Sequence, residues 1–209
     1  MKYLDVLSRE ELMERAQHVG GDPTKVPQID YVCRDGSLDV ISERFDAVLS
    51  SHNIEHQPDL INHLNQVSRI LRPGGVYAMM IPNARYCFDA HLPLSKISEV
   101  LNAHVERRVR HTLGSVVEHR ALTTHNDPAR HWEESARANS RQFHPIDVER
   151  VRAAMREHEL AKGAYIDVHA WQFDPLCFSD ICNCLISLGL VQFNKVTCNG
   201  PVRSRNEFT

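Results

Sequence analysis

The sequence predicts an α/β domain built on a doubly wound, mostly parallel sheet. Short apolar runs without alternation are typical of parallel strands that are buried on both faces. Between these runs lie helical patterns with one apolar side, closed by compact stops at Gly20-Gly21 and at Arg72-Pro73-Gly74-Gly75. Strands that alternate with helices in this way indicate crossover connections within one sheet.

Composition favours one globular domain over residues 1–209. The formal net charge of -3 creates no basic field of the kind that attracts nucleic acid or an anionic membrane surface. No run approaches the roughly 18 apolar residues needed to span a bilayer, and the start MKYLDVLSREEL lacks the core of a secretory signal. We therefore expect a cytoplasmic protein with no nucleic-acid and no membrane partner. The six cysteines form no CxxC pair and are expected to be reduced.

The N-terminal part predicts three strands and one helix. Lys2 to Val6 suggests a short strand ending at Asp5, and Ser8-Arg9-Glu10-Glu11 is a capping-box pattern that predicts the start of a helix. Ile29 to Cys33 predicts the second strand. Phe45 to Ser51 predicts the third, which we expect to be buried on both faces.

A helix and a fourth strand follow. The apolar face of this helix consists of Leu60, Ile61, Leu64, Val67 and Leu71. The Arg72-Pro73-Gly74-Gly75 turn ends it, and Val76 to Ile81 predicts the fourth strand.

Residues 85–162 predict a helical insertion or cover, because this stretch is rich in histidine and arginine and shows helical patterns without strand patterns. Ser95 is expected to cap its first helix, and Gly163 to follow its last. Beyond it we expect strands at Ile166 to Phe173 and Val191 to Thr197, with a helix between them that begins at Asp174-Pro175. Asn206 to Thr209 predicts the opening of one more strand.

Ligands of doubly wound sheets bind at the carboxyl ends of the strands. Residues near such ends are Asp5, Asp35, Ser51, His52 and Asn83. A carboxylate after the second strand of a nucleotide-binding fold commonly accepts hydrogen bonds from ribose hydroxyls. Asp5 suits that role, and its alternative is an acid that flanks the helix beside Ser8.

The segment FDAVLSSHNIEHQPDLINHLNQVSRILRPGGVYAMMIPN resembles the central stretch of the type 11 class I methyltransferases. It has an FD-strand, a polar turn ending in EH, a helix, an LRPGG turn and a strand, and Tyr3-Leu4-Asp5 resembles the acidic end of the family's second strand. HNDPARHW and YIDVHAWQF are similar to a bacterial branch of these proteins that is sometimes found beside sugar-transfer enzymes. The resemblance implies a Rossmann-like fold and transfer of a methyl group from S-adenosylmethionine to a small-molecule or sugar-linked acceptor.

The resemblance also implies where the cofactor would bind. Asp5 would hold its ribose, Asp35 or the neighbouring Gly36 and Ser37 would lie by the adenine, and Ser51-His52 would approach the sulfonium. His52 could take a proton from the acceptor as a catalytic residue, or it could only line the cofactor pocket.

One part of the family pattern does not appear in this sequence. The glycine-rich loop after the family's first strand lets the backbone approach the methionine part of the cofactor, and none of the nine glycines forms GxGxG. We therefore expect a fold truncated at its first strand, with open edges on the neighbouring strands. Such a chain is either an enzyme of doubtful activity or a remnant that acts as an interaction module. Pairing of the open edges with a second chain would give a homodimer.

Acceptor-binding residues are expected in the second half and after the fourth strand. They are Asn83, Arg85, His125, Asp127, His169 and Trp171, with Trp132 and Trp171 as stacking surfaces for a sugar or ring. Asn83 has an alternative role in forming the turn after Pro82.

Several of the same residues raise the alternative of a metal-dependent hydrolase. The collection comprises His125, Asn126, Asp127, His131, Asp167 and His169. Their spacing matches no compact motif such as HExxH, so no metal is predicted. Glu55-His56 is expected to be structural, because neighbouring residues at a helix entrance point in different directions.

Overall fold

The computed structural model describes residues 1–34, 36–137 and 145–209. Asp35, expected by the adenine, lies outside the described residues. The strands are β1 (Leu4–Asp5), β2 (Tyr31–Val32), β3 (Phe45–Ser51), β4 (Leu71–Pro82) and β5 (Glu207–Phe208). The helices are α1 (Arg9–His18), α2 (Leu60–Ile70), α3 (Ile97–Val105), α4 (Leu113–Ala121), α5 (Pro128–Arg137), α6 (Val148–Leu160) and α7 (Pro175–Ser187).

The described strands form two sheets with parallel pairing in each. β1 is parallel to β2, and β3 is parallel to β4 with Ser51 opposite Met80. β5 adds to β4 in the antiparallel direction, with Phe208 opposite Ile81. The mixed α/β class is confirmed. In the described part of the chain no ladder joins β1 to β3, so each of these strands has an edge without a strand partner.

Local sequence signals fix the start of α1 and the path into β4. The side chain of Ser8 accepts from the N–H of Glu11, and Glu11 accepts from the N–H of Ser8, which is the predicted capping box. The turn at Arg72 to Gly75 is a bulge within β4, since Leu71 faces Phe45 while Val76 faces Ala47.

Only one face of the β3–β4 pair is covered by described residues, so the prediction that β3 is buried on both faces is wrong. Val48 and Tyr77 pack against the apolar face of α2. On the opposite face Leu49 is 76% exposed, Val76 59% and Met80 42%. The apolar run therefore predicted the position of β3 correctly. It did not predict that one face of the strand is exposed.

The main core lies between β4, α2, α3 and α7. Its fully buried members include Leu60, Val100, Phe178 and Leu185. Residues 85–162 contain helices and no strand among those described. None of the helices in the described ranges has the length and apolar character needed to cross a membrane. None of the six cysteines, all of which lie in the described ranges, forms a disulfide.

Ser95 does not cap α3, contrary to the prediction. Lys96 occupies the cap position, and the hydroxyl of Ser95 instead accepts from the N–H of Gln172 at 2.9 Å. The cap of α7 is as predicted, because Asp174 accepts from the N–H of Cys177 at 2.8 Å.

The strands predicted at Ile166 to Phe173 and Val191 to Thr197 are not formed. In the first segment the N–H groups of Ala170 and Trp171 donate to the carbonyl of Glu55, a turn residue rather than a neighbouring strand. The segment touches the sheet through a single bridge between Phe173 and Asn83. Apolar patterning marked these segments as buried, but burial does not require a ladder.

Candidate functional site

Two predicted cofactor residues lie at the carboxyl ends of parallel strands. Asp5 ends β1, and its carboxylate accepts from the N–H of Leu7 at 2.8 Å, which turns the chain into α1. Ser51 ends β3, and the next residue, His52, has φ of 49°, a left-handed conformation that is uncommon outside glycine. The backbone N–H of His52 donates to the carbonyl of Met80 at 2.9 Å. The chain therefore leaves the sheet abruptly, with the imidazole at its edge.

Gly36 and Ser37 form the loop after β2. Gly36 has φ of 73° and donates its N–H to the carbonyl of Cys33. The hydroxyl of Ser37 accepts from the N–H of Asp39 at 3.2 Å and lies 3.5 Å from the side-chain nitrogen of Gln66. This loop is thus fastened to α2 by side-chain hydrogen bonds.

These groups suit the adenosine part of the cofactor better than its methionine part. A carboxylate at the end of β1 and a serine-containing loop after β2 can accept hydrogen bonds from ribose and adenine. The residues that follow β1 are Val6 and Leu7, and those that follow β3 are His52 and Asn53, so no glycine-rich turn follows either strand. The methionine part has no such backbone cradle in the described residues.

A cluster of histidines surrounds Glu55, immediately after His52. Glu55 lies in a 3-10 turn and is 0% exposed, and neither carboxylate oxygen accepts a hydrogen bond from any described group. Its Oε1 lies 3.7 Å from Nδ1 of His52, 3.6 Å from Nε2 of His56 and 3.9 Å from Nε2 of His169. We call these four residues the Glu55 cluster.

Each histidine of the Glu55 cluster meets a second carboxylate through its other ring nitrogen. Nε2 of His52 lies 3.1 Å from Glu207. Nδ1 of His56 lies 2.9 Å from Asp167, and Nδ1 of His169 lies 2.6 Å from Asp89. The three imidazoles therefore stand between an inner carboxylate and three outer ones.

Burial dominates the electrostatics of this region. It raises the pKa of the Glu55 carboxyl, and burial together with the charge of Asp89 raises the pKa of Cys87 to about 12. Burial lowers the pKa of His119, whose ring lies beside that of His169, to about 4. Burial also opposes protonation of His56, but the carboxylates of Asp167 and Glu55 outweigh it and hold the pKa of His56 above its usual value.

The expectation that Glu55 and His56 point apart is wrong. The 3-10 turn from Ile54 to His56 is shorter than an α-helical turn, and the ring of His56 lies against both the Glu55 carboxylate and the ring of His169. The two rings meet edge to face with centroids 4.7 Å apart.

Asn83 and Arg85 follow β4, as predicted. Asn83 is buried, and its side chain accepts from the N–H of Arg85 at 3.1 Å, which corresponds to the turn-forming alternative. The guanidinium of Arg85 donates to Asp174 at 2.7 Å while remaining 60% exposed. Arg85 is thus held by the acid that caps α7, with part of its surface open to solvent.

His125 and Asp127 lie at the start of α5. The ring of His125 stacks on that of His131 with centroids 3.9 Å apart, and Asp127 accepts from the N–H of Arg130. Trp132 stacks on Tyr86 at 4.0 Å. The residues considered as metal ligands in the sequence therefore lie in two places. His125 and His131 stack on each other, whereas His169 belongs to the Glu55 cluster and Asp167 contacts it through His56.

Trp171 lies in the main core rather than on a surface. It is 3% exposed, and its indole N–H donates to the carbonyl of Gln57 at 2.6 Å. Its ring packs among core side chains, which leaves Trp132 as the more exposed of the two tryptophans.

The sequence reasoning did not single out Asp89, His119 or Glu207, and it assigned Glu55 and His56 a structural role. Asp89 and His169 are 80 residues apart in the chain. The sequence around Glu55, SSHNIEHQPD, is polar apart from Ile54 and so gave no signal that this carboxylate is buried. Burial of that carboxylate could not be read from spacing.

Residues 4–79 match the family model of a methyltransferase domain. The match begins at β1 and extends into β4, and it includes Asp5, Ser51-His52 and Glu55-His56. The comparison with curated proteins and the comparison with solved structures each found no match. The resemblance seen in the sequence is confirmed over this segment, which is consistent with a class I S-adenosylmethionine-dependent methyltransferase.

Proposed function

We propose that this chain transfers a methyl group from S-adenosylmethionine to a small-molecule or sugar-linked acceptor. The observation that supports the proposal is the position of Asp5 and of Ser51-His52 at the carboxyl ends of parallel strands, inside the segment that matches a methyltransferase domain.

The cofactor residues follow from this arrangement. Asp5 would accept hydrogen bonds from the ribose, and Gly36 and Ser37 would lie by the adenine. Ser51-His52 would lie nearest the sulfonium. S-adenosylmethionine supplies an activated methyl group, so holding an acceptor atom in line with it would provide much of the rate enhancement.

His52 is the proposed catalytic residue. Its ring is 41% exposed in side-chain terms, and Nε2 lies 3.1 Å from Glu207, a carboxylate that can orient the imidazole. Nδ1 lies 3.7 Å from Oε1 of Glu55, so an imidazole placed between two carboxylates would take up the proton of the acceptor. The alternative role is to line the cofactor pocket without accepting a proton.

The acceptor would bind over the ends of β3 and β4, beneath the helical cover of residues 85–162. Arg85 offers an exposed guanidinium, and His125 and Asp127 offer polar groups at the start of α5. Asn83 and Trp171 would support the site without contacting the acceptor. Asn83 forms the turn that presents Arg85. Trp171 holds the 166–173 segment against Gln57. His169 is buried beside Asp89 and would support the floor of this site.

We further infer that the β1–β2 and β3–β4–β5 sheets belong to one doubly wound domain, with residues 85–162 as its cover. Both pairs are parallel, as a doubly wound sheet requires, and the edges of β1 and β3 that have no described partner are the ones that would face each other.

Calorimetric titration with S-adenosylmethionine tests the proposal. Wild-type protein is expected to bind, and Asp5→Ala to bind about tenfold or more weakly through loss of a charge-assisted hydrogen bond. Asp46→Ala is the matched control, since Asp46 is 84% exposed in side-chain terms and pairs only with exposed Arg72 at 2.7 Å. Folded wild-type protein that gives no binding heat would contradict the proposal and favour an interaction module without a cofactor.

Activity assays with the bound cofactor would then separate the two roles of His52. His52→Gln keeps a polar side chain of similar reach. If His52 is the base, this variant binds S-adenosylmethionine normally but loses methyl transfer; if it lines the pocket, binding weakens as well.

A further inference from the structure

We propose that Glu55, His56 and His169 bind a divalent transition-metal cation, with zinc as the expected ion. The inference does not depend on the proposed methyl transfer, because it rests on the buried cluster behind Ser51-His52 rather than on the strand ends. Two imidazoles with one carboxylate form the donor set found at catalytic zinc sites, in which a further coordination position stays open.

The first reason is the unsatisfied carboxylate of Glu55. It is 0% exposed, and both oxygens lack a hydrogen-bond donor among the described residues. Burying a carboxylate without a partner is costly, and buried charges are usually paired or coordinate metals. A cation at Oε1 would supply a partner at bonding distance, which the imidazole nitrogens of His56 and His169, 3.6 Å and 3.9 Å away, do not.

The second reason is the distances around Oε1. The two imidazole nitrogens lie 3.6 Å and 3.9 Å away, beyond hydrogen-bond length for a charged pair. Two ligands of a tetrahedral zinc ion, each about 2.1 Å from the metal, are separated by about 3.4 Å. Small side-chain rotations would therefore complete the coordination geometry, since all three donor atoms lie within 4.8 Å of one another.

The third reason is the orientation of the imidazoles. A carboxylate can only accept a hydrogen bond, so the contact with Asp89 puts the proton of neutral His169 on Nδ1 and leaves the lone pair of Nε2 toward Glu55. Asp167 acts in the same way on Nδ1 of His56. Metal-binding histidines commonly have such a carboxylate on the other nitrogen, which fixes the ring and its tautomer.

Two other groups of metal-ligating residues fit less well. In the group of Asp89, His119 and His169, Oδ2 of Asp89 and Nδ1 of His169 are already joined at 2.6 Å, and Nδ1 of His119 accepts from the N–H of His169. His125 and His131 are stacked, and their nitrogens contact Glu134 and the carbonyl of His125. In neither group does a carboxylate lack a hydrogen bond on both oxygens, as that of Glu55 does.

Two side chains at the rim of the Glu55 site reach solvent. His52, half-exposed, places Nδ1 3.7 Å from Oε1 of Glu55, and Asp167 is 65% exposed in side-chain terms. A cation would therefore enter from the side of His52 and Asp167, where water would occupy the open position.

The test is metal binding by the chain of residues 1–209 after treatment with a chelator and re-addition of zinc. We expect one zinc per chain by elemental analysis, a zinc-dependent rise in thermal stability, and tetrahedral absorption bands when cobalt(II) replaces zinc. Glu55→Gln, which keeps the shape of the side chain, and His169→Asn should each weaken zinc binding about tenfold or more.

His18→Asn and His125→Asn are the matched controls, because His18 is an exposed residue of α1 and His125 belongs to the stacked pair. Both should bind zinc as the wild type does. No zinc in the wild type, or equal binding by a folded Glu55→Gln variant, would overturn the proposal. If His125→Asn alone lost zinc binding, the metal would belong to the histidines near α5, and the proposal would also be overturned.

Discussion

Oδ2 of Asp89 lies 2.6 Å from Nδ1 of His169, and both side chains are buried. The pair fixes the ring of His169 so that Nε2 faces Glu55. It joins the beginning of the helical segment to the 166–173 segment, and so closes the Glu55 cluster on the side away from His52.

Asp89→Asn should weaken zinc binding without removing any proposed ligand. The amide keeps an acceptor oxygen but loses the charge that holds the imidazole, and loss of an outer partner of this kind typically lowers metal affinity about 10- to 100-fold. Calorimetric zinc titration measures the change. Asp127→Asn is the control, because Asp127 accepts from the backbone of Arg130 outside the cluster; an equal loss in both variants would contradict a specific role for Asp89.

The sequence predicted the N-terminal elements well because their signals are local. The limits of β3 agree with the predicted Phe45 to Ser51, and α1 begins after Ser8 as its capping box indicates. The capping box depends on two residues three positions apart. The end of a strand is marked where an apolar run changes to turn residues, so both signals lie within a few residues of each other. These elements therefore needed no tertiary information.

The site depended on contacts that are distant in sequence. Glu55 meets His169, and His169 meets Asp89 across 80 residues, so no spacing rule connects them. The predicted strand at Ile166 to Phe173 failed for the same reason, since the N–H of Ala170 donates to the carbonyl of Glu55 instead of a strand. The prediction that β3 is buried on both faces failed because burial depends on which other elements cover the strand. The sequence of the strand alone does not show this.

Gly75→Ala should destabilise the fold because the backbone leaves no room for a side chain. A Cβ at this position would lie 2.9 Å from the carbonyl oxygen of Arg72 and 3.1 Å from that of Asp46. Relieving such contacts requires a shift of the β3–β4 bulge, for which we expect a loss of about 1–3 kcal/mol in the free energy of unfolding.

Gly114→Ala provides the comparison for Gly75→Ala in urea denaturation. Gly114 lies within α4, and the nearest atom to an added Cβ is the hydroxyl oxygen of Thr112 at 3.5 Å, an ordinary contact. Alanine favours the helix over glycine by about 0.5–1 kcal/mol, so this variant should be more stable than the wild type. A Gly75→Ala variant of unchanged stability would show that the bulge can open freely.

Leu49→Ala should have little effect on stability, in contrast to Leu64→Ala. Leu49 is 76% exposed, whereas Leu64 is 3% exposed in the main core. Removing the buried leucine should cost about 2–5 kcal/mol, and removing the exposed one less than about 1 kcal/mol, which is the range of strand propensity. Chemical denaturation of both variants, with light scattering at the same concentrations, makes the comparison.

An equal loss in the two leucine variants would mean that the exposed face of β3–β4 is covered in solution. Light scattering then distinguishes the cause, because cover by a second copy of the chain would appear as a dimer that Leu49→Ala weakens. A monomer with an insensitive Leu49 would agree with the exposure of this face in the structure.

His63 should make the protein less stable as the pH falls from 7 to 5. Its side chain is buried, Nε2 lies 3.0 Å from the hydroxyl of Tyr77, and burial lowers the pKa of His63 from 6.5 to about 4. Between these values the unfolded chain binds a proton that the folded chain does not. The free energy of unfolding therefore decreases as the pH falls through this window, by about 2 kcal/mol between pH 7 and pH 5 from this group.

Urea denaturation of His63→Gln at the same two pH values isolates this contribution. The variant cannot titrate, so its stability should change less with pH than that of the wild type, whatever its absolute stability. His18→Gln removes an exposed histidine from α1 and should keep the wild-type dependence. If His63→Gln and the wild type lose the same free energy between pH 7 and pH 5, His63 is protonated in the folded protein, and its buried contact with Tyr77 must then accommodate a charge.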